Sequence, residues 1–324
     1  MNLDGKRNGA RVGEIDFIKC VMILLMIAFH IVYIGDTYPA AKRLVYTFHM
    51  PAFLLISGYL MNVGKQPRQF LRSMLWLFVP YVVMELAYTL MAAVLPIREH
   101  IDQLTVGVVV RNLLLTPIGP YWYLHTLLLC GLCYYVVASL PRLYPPIKAA
   151  LLAVIYALLG EAFGLLSTSC AFYFLAGAVV RQSGHTLLGV IRPSLWAALP
   201  LVVLAFFPSQ HDKAMPGGIA IVWCAMSLSA AFYALLKDGM VRDGALLIGR
   251  HTLLLLLFSP IFTALARLYQ PLLVGRLDPS GIVFLSVTLL LAVGGSLLIG
   301  LLLDVLGLSR WLFGRRCLLS AGVS

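Results

Sequence analysis

Charge is what this 324-residue chain has least of: Asp, Glu, Lys and Arg make up 11% of it, against about 25% in an average soluble domain. With 61% hydrophobic residues, a soluble fold could not hide the apolar surface. Acidic groups are scarcer still, 13 against 24 basic ones, giving a net charge of +11. The cations are dispersed through short connections instead of being concentrated on one element, which excludes a nucleic-acid-binding stripe and reads as a membrane topology signal. An internal repeat, a low-complexity tract and a long linker are also lacking, so the chain reads as one domain. The apolar segment after the polar, basic first fourteen residues is too long for a removable signal peptide and has no small-residue cleavage site, so the first span is expected to stay in the protein.

Cysteine is present but not in a useful pattern. Cys20, Cys130, Cys133, Cys170 and Cys224 fall in apolar stretches and Cys317 lies near the C-terminus, as expected of small buried hydrophobes more than of disulfides or metal ligands. Cys130 and Cys133 form a CxxC, but inside an apolar helix with no βαβ context. No metal site is expected.

What the chain does have is uninterrupted apolar runs, at about 15–34, 44–63, 73–95, 120–139, 147–163, 167–181, 193–208, 217–236, 245–269 and 281–303. A spanning helix takes about 20 residues, so the expected fold class is all-α: a polytopic integral membrane protein with about ten transmembrane helices and no room for a soluble catalytic domain. The pair 147–163 and 167–181 is the weakest division. The stretch Thr105 to Leu115 is too short to span and reads as a re-entrant or interfacial piece. Sixteen of the cations fall on the side of the N-terminus and seven on the other, with Lys19 inside the first span. The positive-inside rule then places both termini in the cytoplasm, with 1–14 and 304–324 as tails.

Ionisable groups inside spans are costly and mark cavities or protein interiors. The first span holds Asp16, Lys19 and His30. On an ideal helix Lys19 and His30 lie about 20° apart in azimuth and about 16 Å apart in rise, so they share a face without touching. Asp16, three residues before Lys19, is placed to pair with it; the plainer reading is that both mark the interface, with Lys19 snorkelling. A mid-span histidine has fewer plain explanations. The second span opens on Tyr46-Thr47-Phe48-His49-Met50-Pro51 and runs to Ser57-Gly58-Tyr59, with Pro51 suited to a first helical turn and Gly58 to close helix packing. Lys65, Arg68 and Arg72 follow at intervals of three and four. Arg68 and Arg72 share a helical face suited to gripping phosphates, although topology signal and lipid-headgroup contact explain such a patch equally well. Tyr121-Trp122-Tyr123 and His125 begin the fourth span on the same side as His49, where an aromatic belt is expected. Glu85 and Glu161 are assigned no role.

In order along nearly the whole chain, these residues resemble the acyltransferase-3 family of bacterial integral-membrane O-acyltransferases, which modify surface polysaccharides and related glycans. The resemblance rests on Lys19 and His30 separated by ten residues, Phe48-His49-Met50-Pro51 leading to Ser57-Gly58-Tyr59, Arg68 and Arg72 before Pro80-Tyr81, Trp122-Tyr123-Leu124, and Phe172-Tyr173-Phe174-Leu175-Ala176-Gly177. Two departures stand out. Lysine replaces the commoner arginine at position 19, exchanging a bidentate clamp for a point charge. After Gly249-Arg250-His251-Thr252-Leu253, Ser259 occupies the position of a late histidine found before proline in many relatives. None of these 324 residues resembles the soluble hydrolase-like domain fused to some relatives.

The resemblance implies transfer of an acyl group, most often acetyl from cytoplasmic acetyl-CoA, to a hydroxyl of a sugar or glycan, lipid-linked in some cases, at a bacterial inner membrane. His30 would be general base or acyl carrier with Lys19 and Asp16 beside it; Lys65, Arg68 and Arg72 would meet the acyl-CoA phosphates; His49, Tyr59, Trp122 and His125 would face the acceptor. Membrane lipids would be the other partners, with no nucleic acid. A transporter or flippase for a lipid-linked sugar would also suit about ten helices with polar mid-span groups, but no inverted repeat supports it. A receptor or scaffold without turnover leaves the Lys19 and His30 pair unexplained.

Overall fold

The computed structural model describes residues 12–94, 100–274, 278 and 280–319; the cations Lys6, Arg7, Arg11, Arg98 and Arg276 lie outside them. Every regular element among the described residues is helical. α1 (Gly13–His30) breaks at Ile31 into α2 (Val32–Thr37), followed by α3 (Pro39–Leu60) and α4 (Pro67–Val94). α5 (Val106–Leu114) turns through Gly119–Tyr121 into α6 (Trp122–Ser139). α7 (Pro145–Ala157) widens into a π-turn at Leu158–Ala162 before α8 (Thr168–Gln182), the short α9 (Leu187–Ile191) and α10 (Ala198–Ala205). α11 (Pro216–Leu235), α12 (Met240–Arg250), α13 (Thr252–Leu273), α14 (Ile282–Val305) and α15 (Ser309–Phe313) complete the chain.

Six helical stretches are long and apolar enough to cross a membrane by length and composition: α4, Val106–Ser139, Pro145–Ala162, α11, α13 and α14. Their burial inverts the soluble pattern. The most apolar window of α14 has a mean hydropathy of 2.5, yet only 22% of it is buried, and Leu290, Leu298 and Leu301 point outward. An apolar exterior on helices of this length is stable only against lipid, so the chain is an integral membrane protein.

Outside those six, four of the expected spans correspond to α1, α3, α8 and the Leu195–Ala205 stretch. α8 has 15 residues, and α1 carries Glu14, Asp16 and Lys19 within its 18. α1 packs against α3, α11, α12 and α13, while α3 packs against α8 and α11. Helices surrounded by other helices tolerate polar groups that a lipid-facing helix would not.

α3 and α8 approach unusually closely. A Cβ on Gly58 would fall 1.9 Å from the Phe174 carbonyl oxygen, and one on Gly177 would fall 1.9 Å from that of Leu55. The two glycines thus face each other's backbones, the small-residue contact that lets membrane helices pack tightly, as expected for Gly58.

Besides the break at Ile31, three features differ from the sequence-based expectation. Pro51 lies in the interior of α3 instead of its first turn; lacking an N–H, it leaves the Thr47 carbonyl without that intrahelical bond. The run 245–269 is divided at His251, so that α12 ends at Arg250 and the long helix begins at Thr252. The residues after α14 fold back as α15 and an ordered segment: Phe313 is buried, Leu318 and Leu319 pack against the core, and Asp304 accepts the Leu318 and Leu319 N–H groups.

Candidate active site

α1 separates two polar clusters. At its start, Asp16 is 6% exposed and bridges two cations, Lys19 Nζ at 2.7 Å and Arg250 Nε at 3.6 Å. Arg250 reaches it because α12 abuts α1 at Gly249, where any Cβ would fall 1.8 Å from the Asp16 carbonyl oxygen. Beside it, both ring nitrogens of His251 approach carbonyls, those of Leu247 and Leu318. The same C-terminal segment meets α4 where Gly314 lies against the Trp76 ring, one turn beyond Arg72. Lys65, Arg68 and Arg72 are all exposed around the first turns of α4. Lys65 donates to Ser73 Oγ at 3.0 Å, and its carbonyl accepts from Tyr135 Oη.

At the other end of α1, His30 is the final helical residue, at the Ile31 break, and it is exposed. The apolar run reads as continuous through this point, whereas α1 ends at His30 and α2 resumes at Val32. Tyr46 donates to the Phe29 carbonyl at 3.1 Å, satisfying an acceptor near the helix end. Around it gather three rings. His30 lies 5.5 Å from Tyr46 and 6.4 Å from His49, and Tyr46 lies 5.3 Å from His49, centroid to centroid.

Both histidines use the same local device. His30 Nδ1 is 2.6 Å from the Met26 carbonyl, and His49 Nδ1 is 2.7 Å from that of Val45, each one helical turn back. A carbonyl only accepts, so in a neutral ring Nδ1 carries the hydrogen and Nε2 is the basic nitrogen. His49 is 3% exposed, whereas His30 stands at the open edge of the cluster.

An apolar cavity of about 100 Å³ is lined among others by Ile23, Met50, Phe53, Tyr123, Thr252 and Leu256. Ile23 is one turn beyond Lys19 and Thr252 is two residues after Arg250; Met50 adjoins His49. Tyr123, whose hydroxyl pairs with Ser57 Oγ at 2.8 Å, forms part of the wall.

The remaining expected residues separate. Trp122 meets Lys213, whose Nζ lies 5.8 Å from its ring centroid. His125 turns towards α4 and α5: its Nε2 meets the Leu114 carbonyl at 3.0 Å and its ring lies 6.0 Å from that of Tyr81. Tyr59 sits ten residues beyond His49 on α3, about 15 Å along the axis, under the Arg181 guanidinium at 5.7 Å. Glu85 is fully buried and accepts the Ile118 N–H at 2.7 Å. Arg250 and Lys213 are the residues that sequence reasoning missed. Each reads locally as one more loop cation, and only tertiary packing brings them to Asp16 and to Trp122.

Ionisable groups concentrated on two helices shielded from lipid are what an integral membrane protein with an internal site requires. Residues 12–301 match the acyltransferase-3 family model, described as an acyltransferase domain. The chain belongs to that family and is a membrane acyltransferase. Comparison with curated proteins and with solved structures gives no match.

Proposed function

We propose that this chain is a membrane O-acyltransferase, and specifically an O-acetyltransferase that moves acetyl from cytoplasmic acetyl-CoA to a hydroxyl of a sugar or cell-surface glycan at a bacterial inner membrane. The observation that carries this reading is the pair of polar clusters at the two ends of α1, Lys19 and Arg250 on Asp16 at its start and the His30, Tyr46 and His49 rings at its end. α1, α3, α8 and the Leu195–Ala205 stretch join the six apolar stretches to make ten spans, with both termini cytoplasmic. The Lys19 end then faces the cytoplasm and the His30 end faces outward.

Exposed Lys65, Arg68 and Arg72 suit the anionic phosphates of the donor, with Lys19 and Arg250 joined through Asp16 at the start of α1. At the far end, His30 Nε2 takes the proton from the acceptor hydroxyl as its oxygen bonds to the acetyl carbon; the carbon–sulfur bond breaks and CoA leaves as a thiolate, which is protonated to the thiol. His49, with Nδ1 likewise committed to a backbone carbonyl, fixes the acceptor side. Transfer through an acetyl-imidazole on His30 uses the same geometry in two steps; base catalysis requires fewer.

The test is acetyl transfer from radiolabelled acetyl-CoA to membrane glycans by purified wild type and His30→Ala, matched for folding and amount. Transfer by the first and not by the second is the expected result. Wild type that neither binds CoA nor transfers acetyl across a broad acceptor panel would overturn the reading in favour of a transporter or flippase for a lipid-linked sugar.

A further inference from the structure

Among the cations near the His30 end, Lys213 differs in how it is held. Its backbone is fixed from three directions. Tyr173 Oη donates to the Lys213 carbonyl at 2.8 Å, Thr47 Oγ1 donates to the neighbouring His211 carbonyl at 3.1 Å, and Gly218 lets α11 abut the Asp212 carbonyl, which a Cβ would meet at 1.8 Å. The side chain is half-buried. Lys42 pairs with Asp36, and Lys19 and Arg250 share Asp16, but among the described residues no carboxylate forms an ion pair with Lys213. Its sequence neighbour Asp212 instead accepts the Ala214 N–H at 2.8 Å. The ammonium rests near the Trp122 ring, and Thr47, which holds the His211 carbonyl, lies two residues before His49 on α3.

A lysine whose backbone is fixed and whose ammonium has no ion-pair partner among the described residues, close to a candidate catalytic cluster, favours a ligand that brings negative charge. The adjacent Asp212 is exposed and accepts the Ala214 N–H at Oδ1, and Trp122 supplies only a cation–π contact, which an anion easily outcompetes. We infer that Lys213 is the acceptor-recognition residue and that the acceptor is an anionic sugar, carrying a carboxylate or phosphate close to the hydroxyl that is acylated. The inference rests on the acyl-transfer reading and names its substrate class. Lys213 binds and orients the acceptor; the proton still goes to His30, so the chemistry is unchanged.

The experiment uses the full-length protein in detergent, with 4-nitrophenyl glucuronide, 4-nitrophenyl glucoside and glucose 1-phosphate as acceptors and acetyl-CoA as donor. Transfer and, separately, binding of each probe by calorimetry are measured for wild type, Lys213→Gln and Lys213→Arg. Wild type should favour an anionic probe over the neutral glucoside by about tenfold or more, the size expected for one charge-assisted hydrogen bond. Lys213→Gln should bring that ratio close to one, mainly through KM, and Lys213→Arg should restore most of it. Preference for the glucuronide over the phosphate, or the reverse, identifies which anion is recognised. Transfer without charge discrimination in wild type, or discrimination that survives Lys213→Gln, overturns the inference while leaving acyl transfer standing. Anion binding that depends on Lys213 in a protein that transfers acetyl to none of the probes supports the subsite and counts against the acyl-transfer reading.

Discussion

Arg250 Nε stands 3.6 Å from Asp16 Oδ2, tying the break between α12 and α13 to the start of the first helix. Lys19 shares the same carboxylate at 2.7 Å, so one anion holds two cations. Asp16→Asn should therefore cost more stability than Arg250→Gln, because it leaves both cations close together with nothing between them. Removing one member of a buried pair costs about 3–5 kcal/mol. Here the Lys19 and Arg250 side chains are 18% and 28% exposed, and screening should reduce the loss to about 1–3 kcal/mol. Thermal unfolding of the purified variants measures it; Asp16→Asn as stable as wild type would remove the carboxylate from this structural role.

His30 and His49 are matched in hydrogen bonding but not in exposure, and this separates their expected effects. His30→Ala should lower acyl transfer by about 10²–10⁴-fold, the usual contribution of a general base, with little change in melting temperature because the ring stands at the edge. His49→Asn retains an N–H donor at the position of Nδ1 for the Val45 carbonyl. It should keep the fold and lose less activity. Rates and melting curves on both variants decide it, and near-full activity in His30→Ala would transfer the base role elsewhere.

Glu85 and His125 hold the chain reversal between α5 and α6. Glu85 accepts the Ile118 N–H, and His125 meets the Leu114 carbonyl where Tyr81 Oη also donates to Leu113. Glu85→Ala leaves a backbone donor without its partner and should cost about 1–3 kcal/mol. Glu85→Gln keeps an oxygen acceptor and should cost clearly less. Equal melting temperatures for the two variants would show that the Ile118 bond contributes nothing.

Much of the apolar plan was legible, since composition and run length identify a membrane protein, and α4, α6, α7, α11 and α14 follow the runs closely. Breaks inside runs were not. Ile31 and His251 interrupt helices without glycine or proline at the break, so no local signal separates α1 from α2 or α12 from α13. In the candidate site, spacing placed Lys19 and His30 on one face and Asp16 beside Lys19, because helix periodicity governs neighbours on one element. Arg250 at Asp16 and Lys213 at Trp122 depend on how distant helices pack, which periodicity does not encode. Tyr59 was grouped with His49 by motif order, yet ten residues of α3 carry it to the opposite end of the helix.

The crossing of α3 on α8 offers the sharpest test of the fold. Gly58 and Gly177 each face a carbonyl oxygen that an added Cβ would approach to 1.9 Å, and backbone cannot rotate aside as a side chain can. Inserting atoms into a packed core costs about 1–3 kcal/mol where neighbours can shift, so alanine at either glycine should reach or exceed that range. The two positions share one contact, and a crossing already forced apart by Gly58→Ala has less left to lose. Gly58→Ala with Gly177→Ala should therefore destabilise by less than the sum of the single changes. Melting temperatures of the three variants in one detergent measure this, and fully additive losses would mean that the two glycines act at independent contacts. Because α3 also carries Tyr46 and His49, each variant should lose acyl transfer along with stability even though neither glycine touches the imidazoles.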